Sequence, residues 1–226
     1  MAVSVSESTS KERIHRDIRR AIITGHLRPG ERLAIQELAQ QYGISVSPVR
    51  DALQMLSQEG LITIKPRSGY FVTSLTLKQL RDMLDLREIL ELAAIERAVE
   101  RITALQLDQL ASVHAGYTGD DDESYDRYTD ENRRFHHIIA QASGNDELTS
   151  HLGRVHDRLA RFMVMRQAGK TQETTHARIV EALQKRDAAA ARAAMLDEVQ
   201  GTRDTILDRV MQEEGEHWQL GAGTSA

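Results

Sequence analysis

The chain contains no cysteine among its 226 residues. Disulfides, thiolate-held zinc, iron–sulfur clusters and a cysteine nucleophile are therefore excluded. Prolines number only three, all by residue 66, and no apolar run is longer than four residues. A membrane-spanning helix needs about 20 apolar residues, so the sequence predicts none. The Ser-rich residues 1–10 lack the basic start and apolar stretch of a signal peptide, and we expect a cytoplasmic protein.

Charge is distributed unevenly along the chain. The net charge is −5, yet residues 11–77 carry +4 and residues 78–226 carry −8. A basic segment attached to an acidic body indicates that the first part of the chain meets a polyanion. A solvated surface would give the same local excess of positive charge.

Hydrophobic spacing predicts a winged helix-turn-helix over residues 11–73. The predicted elements are three helices, at about 10–24, 35–42 and 47–60, followed by two strands, at 61–65 and 70–73. Gly43 is expected to end the second helix in a left-handed conformation. The third helix is predicted to have Ser47 as its N-cap and Pro48 as its first residue.

Every segment after Ser74 has a helical pattern. Thr76 with Gln79, and Thr103 with Gln106, are predicted to form capping boxes. The predicted helices span about 77–101, 103–114, 123–142, 146–167, 173–186 and 188–213. The predicted fold class is mainly α: an N-terminal winged helix-turn-helix followed by an antiparallel all-α bundle of six to seven helices.

The start of the third helix holds the candidate DNA contacts. In a helix-turn-helix, the first residues of the second helix of the motif reach base edges in the major groove. Arg50 could donate two hydrogen bonds to guanine or could hold a phosphate. Ser45 and Ser47 could contact DNA, and Ser47 could equally be a helix cap. Lys65 and Arg67 lie where a wing tip would approach the minor groove, or they form a solvated turn.

This segment resembles the DNA-binding domain of the GntR family of bacterial transcription regulators. The resemblance is carried by residues 29–33 (PGERL), 37–39 (ELA), 43–45 (GIS), 48–53 (PVRDAL), 60–61 (GL) and 69–72 (GYFV). It implies DNA contacts by Arg32, Ser45, Ser47, Arg50, Arg67 and Gly69. Val46 stands where the family often has arginine. Either the operator differs at that position, or Val46 touches a thymine methyl group.

Inward-facing polar residues in the helical part indicate a candidate metal site. Asn132 and His136 are four residues apart and share one helix face. His176 and Glu198 border apolar seams on two later helices. Helix bundles build metal sites from such inward groups. Hydrogen-bonded core histidines are the alternative.

The helical part resembles the FCD-type ligand-binding domain of the FadR branch of the GntR family. The resemblance is carried by residues 86–91 (LREILE), 132–136 (NRRFH), 143–145 (SGN), 176, 179 and 182–183. It implies a polar cavity that binds a divalent metal and a small organic acid. The family's usual ligands, Asp, His, His and His, correspond here to Asn132, His136, His176 and Glu198. Two imidazoles, one carboxylate and one amide oxygen could bind Zn²⁺, Ni²⁺ or Mn²⁺.

Arg87 is the candidate contact for an anionic effector. A buried arginine must be paired, either with an internal acid such as Glu91 or with an anionic ligand. Asn145 and Arg161 are further candidates for the effector cavity, although Asn145 could instead cap a helix. Three further histidines, at 137, 151 and 156, are expected at the surface or beside the ligands.

These patterns predict a ligand-responsive DNA-binding transcription regulator that is not an enzyme. We expect a homodimer on a pseudo-palindromic operator, repressing a metabolic operon until a small carboxylate binds. The alternatives are a metal-dependent enzyme with a two-His-one-carboxylate site and an effector-free DNA-binding protein. The predicted domains are a flexible tail (1–10), the DNA-binding domain (11–73), a linker (74–79), an effector-binding and dimerisation domain (80–213) and a flexible tail (214–226).

Overall fold

A computed structural model of the protein describes residues 10–113, 122–165 and 169–213. The chain divides into two compact units between Ser74 and Leu75. Each unit has its own apolar core. The predicted tails, 1–10 and 214–226, lie outside the described residues, except that Ser10 is the first residue of the first helix.

Three helices and a small sheet form the first unit. Its elements are α1 (Ser10–Ile23), β1 (Arg32–Leu33), α2 (Ile35–Tyr42), α3 (Val46–Gln58), β2 (Ile62–Lys65) and β3 (Gly69–Val72). Apolar residues recur on one face of α1 and of α3, and these two faces pack together. Ile14 and Ile18 meet Val49, Leu53 and Leu56 in a core that excludes water.

The connection between α2 and α3 orients the second helix of the motif. Gly43 ends α2 at a φ of 66°, as predicted, and the Ile44 N–H donates to the Ala39 carbonyl at 3.0 Å. The predicted start of α3 is wrong, because Ser45 is the N-cap residue and Val46 begins the helix. Pro48 is therefore the third helical residue. Its missing N–H costs nothing there, since first-turn amides have no acceptor within the helix.

The wing is a three-stranded antiparallel sheet in the order β1-β3-β2. Lys65 pairs with Gly69 across the hairpin, and Arg32 pairs with Phe71 on the other side of β3. Strand β1 was not predicted, because two residues are too few to show the alternation of apolar and polar residues that marks a strand. This short strand places Arg32 beside the hairpin.

Six helices form the described part of the second unit. They are α4 (Leu77–Arg101), α5 (Ala104–Ala111), α6 (Asp122–Ala142), α7 (Asp146–Met165), α8 (Gly169–Gln184) and α9 (Ala188–Glu213). Both predicted capping boxes are confirmed; at α4, the Thr76 N–H donates to Gln79 Oε1 at 2.9 Å. These observations confirm the predicted fold class of a winged helix-turn-helix followed by a helical bundle.

Some predicted boundaries of the second unit are wrong. Helix α4 spans 77–101 as predicted, and it includes the last three residues of the predicted linker 74–79. Two other helices differ from the prediction. Helix α5 ends at Ala111 rather than near 114, and α8 runs from Gly169 to Gln184 instead of 173–186. The last two residues of the predicted helix 146–167 lie outside the described residues.

A polar layer divides the core of the second unit. Helix α4 packs against α6, α7 and α9. One apolar cluster includes Leu80 and Leu84 of α4, and the other includes Ala94 and Ile95 of the same helix. The residues between these clusters on the buried face of α4 are Arg87 and Glu91. Among the helices that the structure describes, none combines the length and apolar character needed to cross a bilayer.

Candidate functional site

The start of α3 carries the candidate base-reading side chains. Ser45, Ser47 and Arg50 are exposed, while Val49 is fully buried and anchors the helix to the core of the first unit. Val46 is half-buried and packs against that core. The packing of Val46 gives it a structural role that the sequence alone did not reveal.

The wing gathers the other candidate DNA contacts. Arg67 is exposed at the hairpin turn with a φ of 60°, and Lys65 Nζ lies 4.6 Å from the centre of the Phe71 ring. Gly69 has a φ of 110°, and a Cβ at this position would lie 3.7 Å from Arg32 Nε. The fold therefore brings Arg32, Lys65 and Arg67 to one small sheet, although they span 36 positions of the chain.

Buried polar side chains from five helices form the second candidate site. We call this group the polar layer: Arg87, Glu91, Asn132, His136, His156, His176, Glu198 and Thr202. Each is at most 5% exposed. Ionised groups are rarely buried unless they are paired or bind a ligand.

Arg87 joins α4 to α9 through Glu198. Its Nη2 donates to Glu198 Oε2 at 3.0 Å and to Oε1 at 3.2 Å. Thr202 Oγ1 donates to the same Oε1 at 3.1 Å, and Arg87 Nε lies 3.6 Å from Glu91 Oε1. Burial alone would raise the pKa of Glu198, but Arg87 and His136 beside it hold this pKa well below its usual range.

One carboxylate oxygen of Glu91 lies close to two imidazole rings. His156 Nε2 lies 2.7 Å from Glu91 Oε1 in a hydrogen bond, and His136 Nδ1 lies 2.8 Å from the same oxygen. Burial opposes the ionised form of Glu91, but His136 and His156 lower the Glu91 pKa well below its ordinary value. Burial lowers the pKa of His156 to about 4 despite the neighbouring carboxylate, so this imidazole is neutral at pH 7.

His176 and Asn132 both carry buried polar atoms without a hydrogen-bond partner among the described residues. Among the described residues, neither ring nitrogen of His176 has a hydrogen-bond partner, and neither does Asn132 Oδ1. The His176 ring stacks on Phe135 with centroids 3.7 Å apart. Burial and the neighbouring His136 lower the pKa of His176 to about 3. A neutral buried imidazole without a partner can offer a lone pair to a ligand.

Two sets of three side chains in the layer could hold a metal ion. Ligand atoms of His136, His176 and Glu198 lie within 4.8 Å of one another, and so do those of Glu91, His136 and His156. Two ligand atoms about 2.1 Å from a tetrahedral zinc are about 3.4 Å apart. The 3.8 Å between His136 Nε2 and Glu198 Oε2 is close to that spacing. The contacts of 2.7 and 2.8 Å around Glu91 fit hydrogen-bonded groups better.

The structure gives Asn145 a different role from the predicted effector contact. Asn145 is exposed, and its Oδ1 accepts from the Leu148 N–H at 3.1 Å as the cap of α7. Arg161 is half-buried on α7, five residues beyond His156. The predicted alternative of an internal partner for Arg87 is present, but the hydrogen-bonded acid is Glu198 and the contact with Glu91 is longer.

Sequence reasoning missed how central Glu91, His156 and Thr202 are to the layer. All three interrupt buried helix faces, as Glu91 does between Arg87 and Ala94 on α4. A polar residue inside an apolar stripe was the available signal. The spacing could not show which distant side chain each of them would meet.

Both units match known protein families. Residues 10–72 match the family described as bacterial regulatory proteins, gntR family, and residues 82–200 match the FCD domain. The Nta operon transcriptional regulator of Aminobacter aminovorans is 31% identical, over 82% of this chain and 89% of that protein. The transcriptional repressor RspR of Escherichia coli is 28% identical over 92% of each chain.

The fold has solved counterparts. The structure of E. coli McbR/YncC superposes with a TM-score of 0.69 and covers 91% of this chain and 100% of its own, at 24% sequence identity. Both curated relatives are described as transcription regulators, in agreement with the regulatory function predicted for this chain. The chain is a ligand-responsive DNA-binding regulator that belongs to the GntR family, with a winged helix-turn-helix followed by an FCD domain.

Proposed function

We propose that this regulator is a cytoplasmic homodimer that represses a metabolic operon and releases its operator when a small carboxylate binds beside a divalent metal. The observation that supports metal and carboxylate binding is the polar layer. In it, acceptor atoms of Asn132 and His176 have no hydrogen-bond partner among the described residues. Packing alone would favour apolar side chains there, because buried ionised groups contribute little net stability.

Arg50 is the proposed base-reading residue. It is exposed in the second turn of α3, and the buried Val49 beside it holds the helix in place. A guanidinium can donate two parallel hydrogen bonds to guanine in the major groove. Ser45 and Ser47 would contact phosphate or base edges. The packing of Val46 supports an operator that differs from those read by arginine at this position.

The wing residues are the proposed backbone contacts. Arg32, Lys65 and Arg67 would neutralise phosphates, and Gly69 would let the DNA backbone approach closely. Such contacts set the position of the protein on DNA and contribute little to sequence preference. We therefore assign sequence reading to α3 and general affinity to the wing.

A second copy of the chain is the proposed partner. Leu86 and Ile89 are 43% and 64% exposed on α4, three positions apart and so on one face. Exposed apolar patches often mark interfaces. The two DNA-binding units of such a dimer would then read half-sites related by two-fold symmetry. Ile89→Glu should shift the full-length chain toward monomer in sedimentation at micromolar concentration, while Leu105→Glu, at a 68% exposed residue of α5, should not.

The charge of the polar layer supports a bound cation. Arg87 contributes one positive charge and Glu91 and Glu198 contribute two negative charges, while the imidazoles of His156 and His176 are neutral at pH 7. His136, His176 and Glu198 would hold Zn²⁺, Ni²⁺ or Mn²⁺, with the Asn132 amide oxygen as a weaker ligand. A bound divalent ion would supply open coordination positions for the oxygens of a carboxylate.

Arg87 is the proposed anchor for the effector's carboxylate. In the absence of an effector its guanidinium holds the carboxylate of Glu198. When Glu198 serves as a metal ligand, the donors of Arg87 become available to a second carboxylate, which restores charge neutrality in the layer. Arg161 remains a candidate contact for the effector. We assign Asn145 to capping of α7 rather than to effector binding.

Helix α4 is the proposed route from ligand to DNA. It begins three positions after Ser74, at the boundary of the DNA-binding unit, and carries both Arg87 and Glu91. An effector that exchanges the partner of Arg87 changes the interactions of this helix. Release of DNA requires that the effector bind the non-binding state more tightly than the DNA-bound state.

A gel-shift titration tests this function, with the operator first located by footprinting of the DNA. Chelator-stripped protein, with and without added Zn²⁺, is titrated with formate, acetate, lactate and succinate, with sodium chloride as the ionic-strength control. We expect specific DNA binding and at least one carboxylate that releases the DNA only when metal is present. Release that is equally strong without metal would contradict the metal-dependent site, and the absence of specific DNA binding would contradict the regulator.

A further inference from the structure

His136 lies between neighbours of opposite hydrogen-bonding character. Its Nε2 is 3.4 Å from Nη2 of Arg87, and its Nδ1 is 2.8 Å from Oε1 of Glu91. A guanidinium can only donate hydrogen bonds, and an ionised carboxylate can only accept them. Both neighbours therefore favour a proton on Nδ1 of His136 and a lone pair on Nε2.

We propose that Glu91, itself held by His156, is a positioning residue that fixes His136 in the tautomer presenting Nε2 to a divalent cation. Metal-bound histidines commonly donate their other ring N–H to a carboxylate, which sets the orientation of the ring and raises its basicity. This inference rests on the metal site proposed above. It adds Glu91 and His156 to the residues on which that site depends.

Three helices fix the geometry of this support. Glu91 lies on α4, His136 on α6 and His156 on α7. The bond from His156 Nε2 to Glu91 Oε1, at 2.7 Å, is well formed and holds the carboxylate in place. The contact of His136 with that oxygen is equally short but poorly aligned for a hydrogen bond, so Glu91 acts on His136 through its charge as well as its position.

The spacing within this trio separates it from the proposed metal site. Atoms of Glu91, His136 and His156 that are 2.7–2.8 Å apart are closer than the about 3.4 Å expected for two ligands of one tetrahedral zinc. His136 Nε2 faces the wider group with His176 and Glu198. The imidazole of His136 thus belongs to both groups: its Nδ1 lies against Glu91, and its Nε2 is offered to a cation.

Nitrogen NMR of the full-length, metal-free protein tests the tautomer directly. We expect His136 to be protonated on Nδ1 in the wild type and to become a mixture of tautomers in Glu91→Gln, which keeps the shape of the side chain and removes its charge. In a competition titration, Zn²⁺ should bind Glu91→Gln about 10–100-fold more weakly. Glu96→Gln, on the exposed side of the same helix, is the matched control and should bind like the wild type.

The outcomes separate this inference from the metal site itself. Protonation of His136 on Nε2, or unchanged zinc affinity in Glu91→Gln, would overturn the role of Glu91 while leaving the metal site in place. A wild-type chain that binds no zinc would overturn the metal site, and the spectrum of the same metal-free sample would still decide the tautomer.

A second pair of variants keeps Glu91 intact. His156→Gln retains an N–H donor near the position of Nε2, whereas His156→Leu removes it. We expect the leucine variant to lose about tenfold in zinc affinity and the glutamine variant to lose much less. Equal affinities in the two variants would contradict the support of Glu91 by His156, even if Glu91→Gln fails to fold.

Discussion

Arg87 and Glu198 form a buried ion pair that links the first and last long helices of the FCD domain. One guanidinium nitrogen contacts both carboxylate oxygens, at 3.0 and 3.2 Å, although the two residues are 111 positions apart. Both side chains are at most 1% exposed. The pair therefore replaces part of the hydration of both charges, and removal of one partner takes an opposite charge away from the other in a buried site.

Loss of the Glu198 charge should destabilise the metal-free chain. We expect Glu198→Gln to lower the free energy of unfolding by about 3 kcal/mol, because the buried Arg87 then loses the charge of the carboxylate to which it is hydrogen-bonded. Urea denaturation of chelator-stripped protein measures the effect. Asp197→Asn is the control, since Asp197 is more than half exposed in its ion pair with Arg178. Equal stabilities of the two variants would contradict a structural role for the buried pair.

Specific DNA binding should depend on Arg50. We expect Arg50→Ala to weaken operator binding by about 1–3 kcal/mol per half-site, because one bidentate base contact is lost from each head. Gel shifts with specific and scrambled DNA measure this loss, and the dimer should stay folded. Arg97→Ala removes an exposed positive charge from the FCD domain and is the control. Operator affinity within about threefold of the wild type would rule out base reading by Arg50.

Metal binding should require His176. We expect calorimetric titration of the stripped protein with Zn²⁺, Ni²⁺ or Mn²⁺ to give about one site per chain. His176→Ala should abolish this binding, because the nitrogens of this imidazole have no hydrogen-bond partner among the described residues. His151→Ala is the control, since the His151 side chain is 60% exposed. No binding at millimolar metal would indicate that His136 and Glu198 only form internal contacts.

The response to the effector should depend on the paired N–H donors of the Arg87 guanidinium. Arg87→Lys keeps the positive charge but loses the paired donors of the guanidinium. We expect this variant to bind the operator and to need a much higher concentration of the releasing carboxylate in the gel-shift titration. An unchanged response would show that Arg87 serves only its internal pair with Glu198.

Acid should destabilise the metal-stripped protein through two buried histidines. The pKa is about 4 for His156 and about 3 for His176, below the ordinary value of 6.5. The unfolded chain therefore takes up protons that the folded chain excludes as pH falls below about 6.5, and stability falls with it. Between pH 7.5 and 5.5 each histidine should contribute a loss of about 1 kcal/mol.

Urea denaturation at the two pH values measures this loss. His176→Gln should make the pH dependence shallower, because it removes one of the two buried imidazoles. His151→Ala changes only an exposed side chain and should keep the wild-type dependence. A pH dependence that is identical in the wild type and in His176→Gln would contradict the burial of a neutral imidazole at this position.

Local sequence patterns were sufficient to predict the winged helix-turn-helix and the helical FCD domain. Their signals are local: apolar residues at helical spacing, the left-handed stop at Gly43, and the capping boxes at Thr76 and Thr103. Each depends on residues within a few positions of one another. The same local rules missed the two-residue strand β1 and placed the start of α3 two residues late.

The pairing of the inward polar residues depends on tertiary packing and could not be read from local patterns. Helical spacing places Arg87 and Glu91 on one buried face, but it cannot tell that Arg87 donates to Glu198 of α9 while Glu91 accepts from His156 of α7. Those partners depend on the rotation and depth at which distant helices pack. Because the strength of an ion pair or hydrogen bond changes steeply over an ångström, the chemistry of the layer is set by that packing.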